Sequence, residues 1–138
     1  MQVDFKSKTT LRVRYGETDQ MGHCYYGNYA QYFEVGRVEA LRSIGMSYKE
    51  LEDRGVMLPV TEFQVNYKFP AKYDDVLTVE TSITELRGPR LLFEYTITNE
   101  DGILIATATT TLVFVAKETM RPIQPPAIFV EIIEKYFT

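Results

Sequence analysis

The chain has 138 residues, 45% hydrophobic and 25% charged, with 15 Lys and Arg against 19 Asp and Glu for a formal net charge of -4. That length suits one ordinary soluble domain over residues 1–138, able to bury roughly 68–70% of its unfolded surface without staples. One cysteine, Cys24, and one histidine, His23, exclude an internal disulfide, a redox CxxC pair and a multi-histidine metal centre, so neither a metal nor a redox cofactor is expected.

The acidic balance, with no Lys/Arg run longer than two, argues against nucleic acid as a partner. No apolar stretch has signal-peptide or membrane-span length, which predicts a reduced cytoplasmic setting and no membrane span. Aromatic content is the unusual quantity: ten Tyr, eight Phe and no Trp. Tyrosine pairs an apolar body with a polar tip and suits core edges, interfaces and pocket walls.

In chain order, residues 9 to 15 alternate Leu11, Val13 and Tyr15 with Thr10, Arg12 and Arg14, which predicts a half-buried strand. From Asn28 to Ile44 the period becomes helical, with Ala30, Phe33, Arg37, Leu41 and Ile44 on one side and Tyr29, Tyr32, Gly36 and Ala40 beside them. Asn28 with Gln31 is a variant capping box, Gly45 a C-terminal stop, and Glu34–Arg37 and Glu39–Arg42 are i,i+3 pairs. Gly36 inside this helix costs about 1 kcal/mol against alanine, which implies close approach of a strand. Ser47 to Glu50 is a second capping box, opening a short helix that Gly55 closes.

Strands follow. Phe63, Val65, Tyr67 and Phe69 alternate with polar residues up to Pro70, and Val76–Leu86, Leu91–Thr98 and Ile103–Ala116 are separated by the turn compositions at 87–90 and 99–102. Pro122, Pro125 and Pro126 break the chain before a helical pattern over Ala127 to Phe137. The expected fold is α+β: an antiparallel sheet of about five strands wrapped around one long helix.

Residues 15 to 28 between the first strand and the long helix are dense in polar residues and glycine. A helix N-terminus offers unpaired N–H groups and the positive end of a dipole, which can hold an oxyanion, and Asp19 can face the same atom. Asp19 could equally cap a local turn. His23 is read as a loop-shaping residue with an accessory proton-transfer role as the sharper alternative, and Cys24 as a small buried residue rather than a nucleophile.

The pattern Tyr15-x-x-Thr18-Asp19-x-x-Gly22-His23-x-x-Tyr26-x-x-Tyr29-x-x-Tyr32-Phe33-Glu34, followed by Arg37 and Leu41, resembles hotdog-fold acyl-CoA thioesterases of the 4-hydroxybenzoyl-CoA thioesterase and Tol-Pal-associated type. Val65-x-Tyr67-x-x-Pro70-Ala71-x-x-x-Asp75-x-Leu77 is similar to the next part of that family, and the likeness runs over about residues 8 to 117. The resemblance implies a hotdog fold and a thioester hydrolase acting on acyl-CoA. Asp19 would be nucleophile or general base, the Tyr26 N–H the oxyanion donor, and Tyr25 and Gly27 neighbouring substrate contacts. It also implies a homodimer or homotetramer with sites between subunits. CoA carries phosphates, so Lys68, Lys72, Arg87, Arg90 and Lys117, at strand ends or turns, are candidate contacts, with solvated surface charge the plainer reading.

The chemistry is consistent in itself: a thiolate leaves without full protonation, so one carboxylate and a helix end suffice. A hotdog dehydratase or hydratase would need His23 against the substrate, and a non-catalytic acyl-CoA-binding module is permitted by fold alone.

Overall fold

The computed structural model describes residues 1–138. Its elements in order are β1 (Gln2–Arg12), α1 (Tyr29–Ser43), α2 (Tyr48–Asp53), β2 (Val56–Met57), β3 (Val60–Tyr67), β4 (Val76–Arg87), β5 (Arg90–Thr98), β6 (Leu104–Val113), β7 (Val115–Ala116) and α3 (Ala127–Ile133). Five strands form one antiparallel sheet in the order β1-β4-β5-β6-β3, and β2 with β7 makes a small ribbon.

Period-two patterning sets the faces. Leu77, Val79, Thr81 and Ile83 of β4, Leu91, Phe93, Tyr95 and Ile97 of β5, and Ala106, Ala108, Thr110 and Leu112 of β6 are all buried on the helix side. Glu80, Ser82, Glu94, Thr96, Thr107 and Thr109 line the opposite, polar face. Helix α1 lies mainly across β1 and β4 and reaches β5. Phe33 and Leu41 are fully buried beneath it, each worth about 2–3 kcal/mol of apolar transfer.

The close approach expected at Gly36 is present: a Cβ there would lie 2.6 Å from both Thr81 Oγ1 and Val79 Cγ1. Gly45 ends α1 with φ +89, a left-handed conformation that glycine adopts without steric cost. Ser47 Oγ accepts from the Glu50 N–H at 3.2 Å, so Ser47 caps the short helix, without the reciprocal Glu50 side-chain bond of a full capping box.

Several expectations change. The first strand starts at Gln2 and ends at Arg12, so Tyr15 is in a 3-10 turn (Tyr15–Glu17), and Val13 leaves the sheet to bond Asp75 O and receive the Asp74 N–H. Asn28 does not cap α1 through its side chain: a 3-10 turn (Tyr26–Asn28) runs directly into the helix, and the Asn28 amide donates to Glu17 O at 2.9 Å. Ala30, placed on the apolar stripe, is exposed. Glu39 and Arg42 pair, but Arg37 is buried and does not pair with Glu34. Its Nε donates to the Tyr48 hydroxyl at 2.8 Å and Nη1 to the Tyr95 hydroxyl at 3.3 Å.

The final segment packs onto the N-terminal end of the sheet. Phe129 of α3 meets Phe114 at a 5.1 Å ring separation, and Tyr136 stands edge-on to Phe5 at 5.0 Å. At the other edge β3 is open: Phe63 and Tyr67 face the helix side and meet α1 only at one flank, through Phe33 at 6.0 Å and Tyr29 at 5.4 Å, and stay 43% and 51% exposed.

Candidate active site

The segment after β1 closes on itself before entering α1. Thr18 and Cys24 form an isolated antiparallel bridge, the Asp19 N–H donates to His23 O at 2.8 Å, and Gly22, at φ +79, donates to Asp19 O at 3.0 Å. Asp19 Oδ1 completes the turn by accepting from the Met21 N–H at 2.9 Å and the His23 N–H at 3.2 Å. Asp19 thus caps the turn through one oxygen, and Oδ2 has no partner in the chain.

The loop is laid against the segment that follows β3. Cys24 N–H donates to Ala71 O at 2.7 Å, His23 and Lys72 form a further bridge, and Lys72 N–H is held by Asp75 Oδ2 at 2.9 Å. These contacts leave a cavity of about 310 Å³ lined by Asp19, His23, Cys24, Tyr26, Tyr29, Tyr67, Lys68, Phe69 and Pro70. The Tyr26 and Gly27 N–H groups open the helical run and have no acceptor in the chain, which places two free donors and the positive end of α1 beside the cavity.

The walls are aromatic. Tyr25 and Tyr26 rings lie 4.6 Å apart, Tyr67 stands edge-on to Tyr26 at 6.2 Å and to Tyr29 at 5.4 Å, and the Tyr67 hydroxyl donates to Tyr26 O at 3.4 Å. The Tyr25 ring folds over the helix entry, 2.7 Å from where a Cβ on Gly27 would stand. Tyr29 is buried, its hydroxyl takes the Ala71 N–H at 3.4 Å, and burial pushes its pKa up to about 12, so it enters the site as a neutral phenol.

Cys24 is buried with its Sγ 3.3 Å from the Tyr32 hydroxyl, and burial raises its pKa, which disfavours the thiolate a nucleophile needs. The His23 imidazole hydrogen-bonds to nothing in the chain; only its backbone is used.

Asp19, His23, Tyr26, Tyr25, Gly27, Lys68 and Lys72 thus gather at one end of the molecule. Arg87, Arg90 and Lys117 do not. Asp74 and Asp75, beside the loop, immediately precede β4, and Arg87 ends that 12-residue strand, about 36 Å away at 3.3 Å per residue. Arg87 is paired with Glu85, and the Lys117 N–H bonds Gly55 O behind α2. Within one copy the β4–β5 hairpin that carries Arg87 and Arg90 points away from the copy's own loop. Tyr67, on the open β3 edge, and Phe69, two residues past it and so outside the strand its alternation predicts, are exposed and line the cavity.

A five-strand antiparallel sheet packed on one long helix is the architecture of the hotdog class. Residues 13–133 match the thioesterase-like superfamily, and the chain belongs to that family. The match takes in α3, which lies beyond the 8–117 span of the sequence resemblance. YneP of Bacillus subtilis is 39% identical over 118 residues, covering 86% of each chain. The acyl-CoA thioester hydrolase YbgC of Escherichia coli is 35% identical over 112 residues, covering 81% of this chain and 84% of the relative. The DHNA-CoA thioesterase of Staphylococcus aureus superposes with a TM-score of 0.90 at 36% identity, over 94% of this chain and 89% of that one. No helix here is long and apolar enough to cross a membrane.

Proposed function

We propose that this protein is an acyl-CoA thioesterase that cleaves its substrate to a free carboxylic acid and CoA, with Asp19 as the catalytic carboxylate and the Tyr26 N–H as oxyanion donor. One observation carries the reading: Asp19, whose Oδ2 is free, and Tyr26, whose N–H is unpartnered, line the same aromatic-walled cavity. The thioester carbonyl sits against the helix entry, whose N–H and dipole stabilise charge as it forms on oxygen. Asp19 then either attacks the acyl carbon or takes a proton from the water that does. The C–S bond breaks, and the thiolate leaves without needing a strong acid. In the water route the proton ends on the thiolate or solvent; in the nucleophilic route the acyl group is left on Asp19 as a mixed anhydride, which water hydrolyses to the free acid and the restored carboxylate.

Tyr25 and Gly27 border the oxyanion position, and Lys68 and Lys72 supply positive charge at the mouth. Burying the exposed side of β3 calls for a second copy. Unpaired strand edges invite pairing, and Phe63, Tyr67 and Phe69 present apolar surface on this one. Antiparallel pairing of two β3 strands about a two-fold axis sets the Val60 end of one copy beside the Tyr67 end of the other. Arg90 lies towards the Val60 end of its own sheet, through the register Val60–Leu112 and Leu112–Leu91. Arg87 and Arg90 of a second copy are then carried towards the first copy's site, where CoA phosphates need cations.

Release of thiol by the purified protein from a panel of acyl-CoAs, short aliphatic to aromatic, tests the reading. Turnover of at least one member supports hydrolysis. Binding of acyl-CoA without any thiol release would make the protein a binding module instead.

A further inference from the structure

Glu17 is the buried carboxylate of this end of the molecule, 8% exposed, and it does not line the cavity. Every polar atom it has is engaged. Oε1 accepts from the Arg14 N–H at 2.9 Å and the Tyr32 hydroxyl at 2.8 Å, and Oε2 accepts from Arg14 Nε at 3.2 Å and Nη2 at 3.1 Å. Its carbonyl accepts from the Tyr25 N–H at 2.8 Å and the Asn28 amide at 2.9 Å, and its own N–H donates to Arg14 O at 3.0 Å.

The partners fall on both sides of the reacting position. Asp19 is two residues beyond Glu17 on one strand of the closed loop. Tyr25, on the other strand, precedes the residue whose N–H is the oxyanion donor. Tyr32 is on α1, so the carboxylate ties the loop to the body of the helix, and the Tyr32 hydroxyl passes the contact on to Cys24 Sγ at 3.3 Å. Burial alone would raise the Glu17 pKa, but bonds from the Arg14 N–H, the Tyr32 hydroxyl and the Arg14 guanidinium outweigh it and hold the group ionised below the usual carboxylate value.

Resting on the acyl-CoA thioesterase reading, we propose that Glu17 is the positioning residue of this site: its carboxylate and carbonyl together fix the separation between Asp19 and the Tyr26 N–H. It touches neither substrate nor reacting atoms. Reactions that depend on placed groups are steep in geometry, a shift near 1 Å costing about 100-fold. The amide of Glu17→Gln cannot accept at both oxygens and turns an N–H donor towards the Arg14 guanidinium or its N–H.

The test is steady-state hydrolysis of an acyl-CoA by the wild type and by Asp19→Asn, Glu17→Gln, Tyr32→Phe, Tyr48→Phe and the Glu17→Gln/Asp19→Asn double variant, with thermal unfolding of each. Tyr48→Phe is the control: it removes a phenol bond to a charged group elsewhere, the half-buried one from Arg37, away from the cavity. We expect Glu17→Gln to lower kcat by about 10- to 100-fold with KM changed by less than about 3-fold, Tyr32→Phe to lower it by about 3- to 10-fold, and Tyr48→Phe to leave it within about 2-fold. The double variant is expected to be no slower than Asp19→Asn alone, because a residue that acts by placing Asp19 has nothing left to place. If Glu17→Gln does not fold, Tyr32→Phe decides.

Full activity in Asp19→Asn overturns the thioesterase mechanism itself. Loss in Asp19→Asn with kcat retained in both Glu17→Gln and Tyr32→Phe overturns the role of Glu17 alone. An equal fall in Tyr48→Phe also overturns it, by showing a general effect of stability.

Discussion

Replacing Gly36 with alanine sets two effects of opposite sign against each other inside α1. Alanine in a helix interior is favoured over glycine by about 1 kcal/mol. Against this, the new Cβ would stand 2.6 Å from Val79 Cγ1 and 2.6 Å from Thr81 Oγ1, about 0.8 Å inside the 3.4 Å where ordinary contact begins. Val79 and Thr81 are fully buried, their β-branched side chains are stiff, and both are on β4, paired on each side by β1 and β5. Neither can yield, so α1 must lift off the sheet. Overpacking of this kind costs about 1–3 kcal/mol, and the doubled clash argues for the upper half of that range. The net expectation is a loss of about 1–2 kcal/mol, or roughly 3–8 °C in Tm for a chain of this size. Thermal and urea unfolding of Gly36→Ala read it directly. Combining it with Val79→Ala, which removes one of the two opposing groups, should cost less than the two single losses together. A Gly36→Ala variant as stable as the wild type, or more so, would refute the claim that close packing rather than chain flexibility put glycine there.

Thr81→Val is expected to raise stability by about 1 kcal/mol in denaturant unfolding, since Thr81 Oγ1 is a buried hydroxyl without a hydrogen-bond partner and valine fills the same volume. Removing the Ser47 cap in Ser47→Ala should cost about 1 kcal/mol in the same assay. For Glu17 the folded pKa lies below the unfolded value, so its contribution is full above the ordinary carboxylate pKa of 4.5 and disappears as pH falls through the lower folded value. The wild type should therefore lose stability between about pH 5 and 3 more steeply than Glu17→Gln, and parallel curves would contradict the assignment. On the open edge, Phe63→Glu should move the protein to a smaller species in sedimentation and reduce thiol release together, whereas an unchanged mass would contradict pairing through β3.

How legible each part was follows from the kind of force behind it. The central strands were readable because β4, β5 and β6 alternate between a buried and a polar face, and tight turns such as Asn99–Gly102 carry their own signal, Asn99 Oδ1 taking the Asp101 and Ile103 N–H groups at 3.0 Å each. Strand β1 was misplaced because only Val3 and Phe5 of its first half are buried, and their cover comes from Tyr136 and Phe137 at the far end of the chain. Local pattern does not contain that information. Asn28 shows the same limit at the site: its composition is that of a cap, but a contact with Glu17, 11 residues away, takes its side chain. Asp19 could be chosen from the ordering of residues 15 to 34, whereas Glu17 could not, because its role arises only when the loop folds back and Tyr32 turns towards it. Arg87 and Arg90 look like site cations in sequence and lie a full strand length away within one copy.

The central claim is that one carboxylate and one helix entry perform the hydrolysis. It is tested most directly by thiol release from the best acyl-CoA substrate, measured for wild type and Asp19→Asn at equal concentrations of folded protein. The account predicts that turnover falls by at least about 100-fold while acyl-CoA still binds, because the amide can neither attack nor accept the proton. Turnover in Asp19→Asn within about 2-fold of wild type would contradict it.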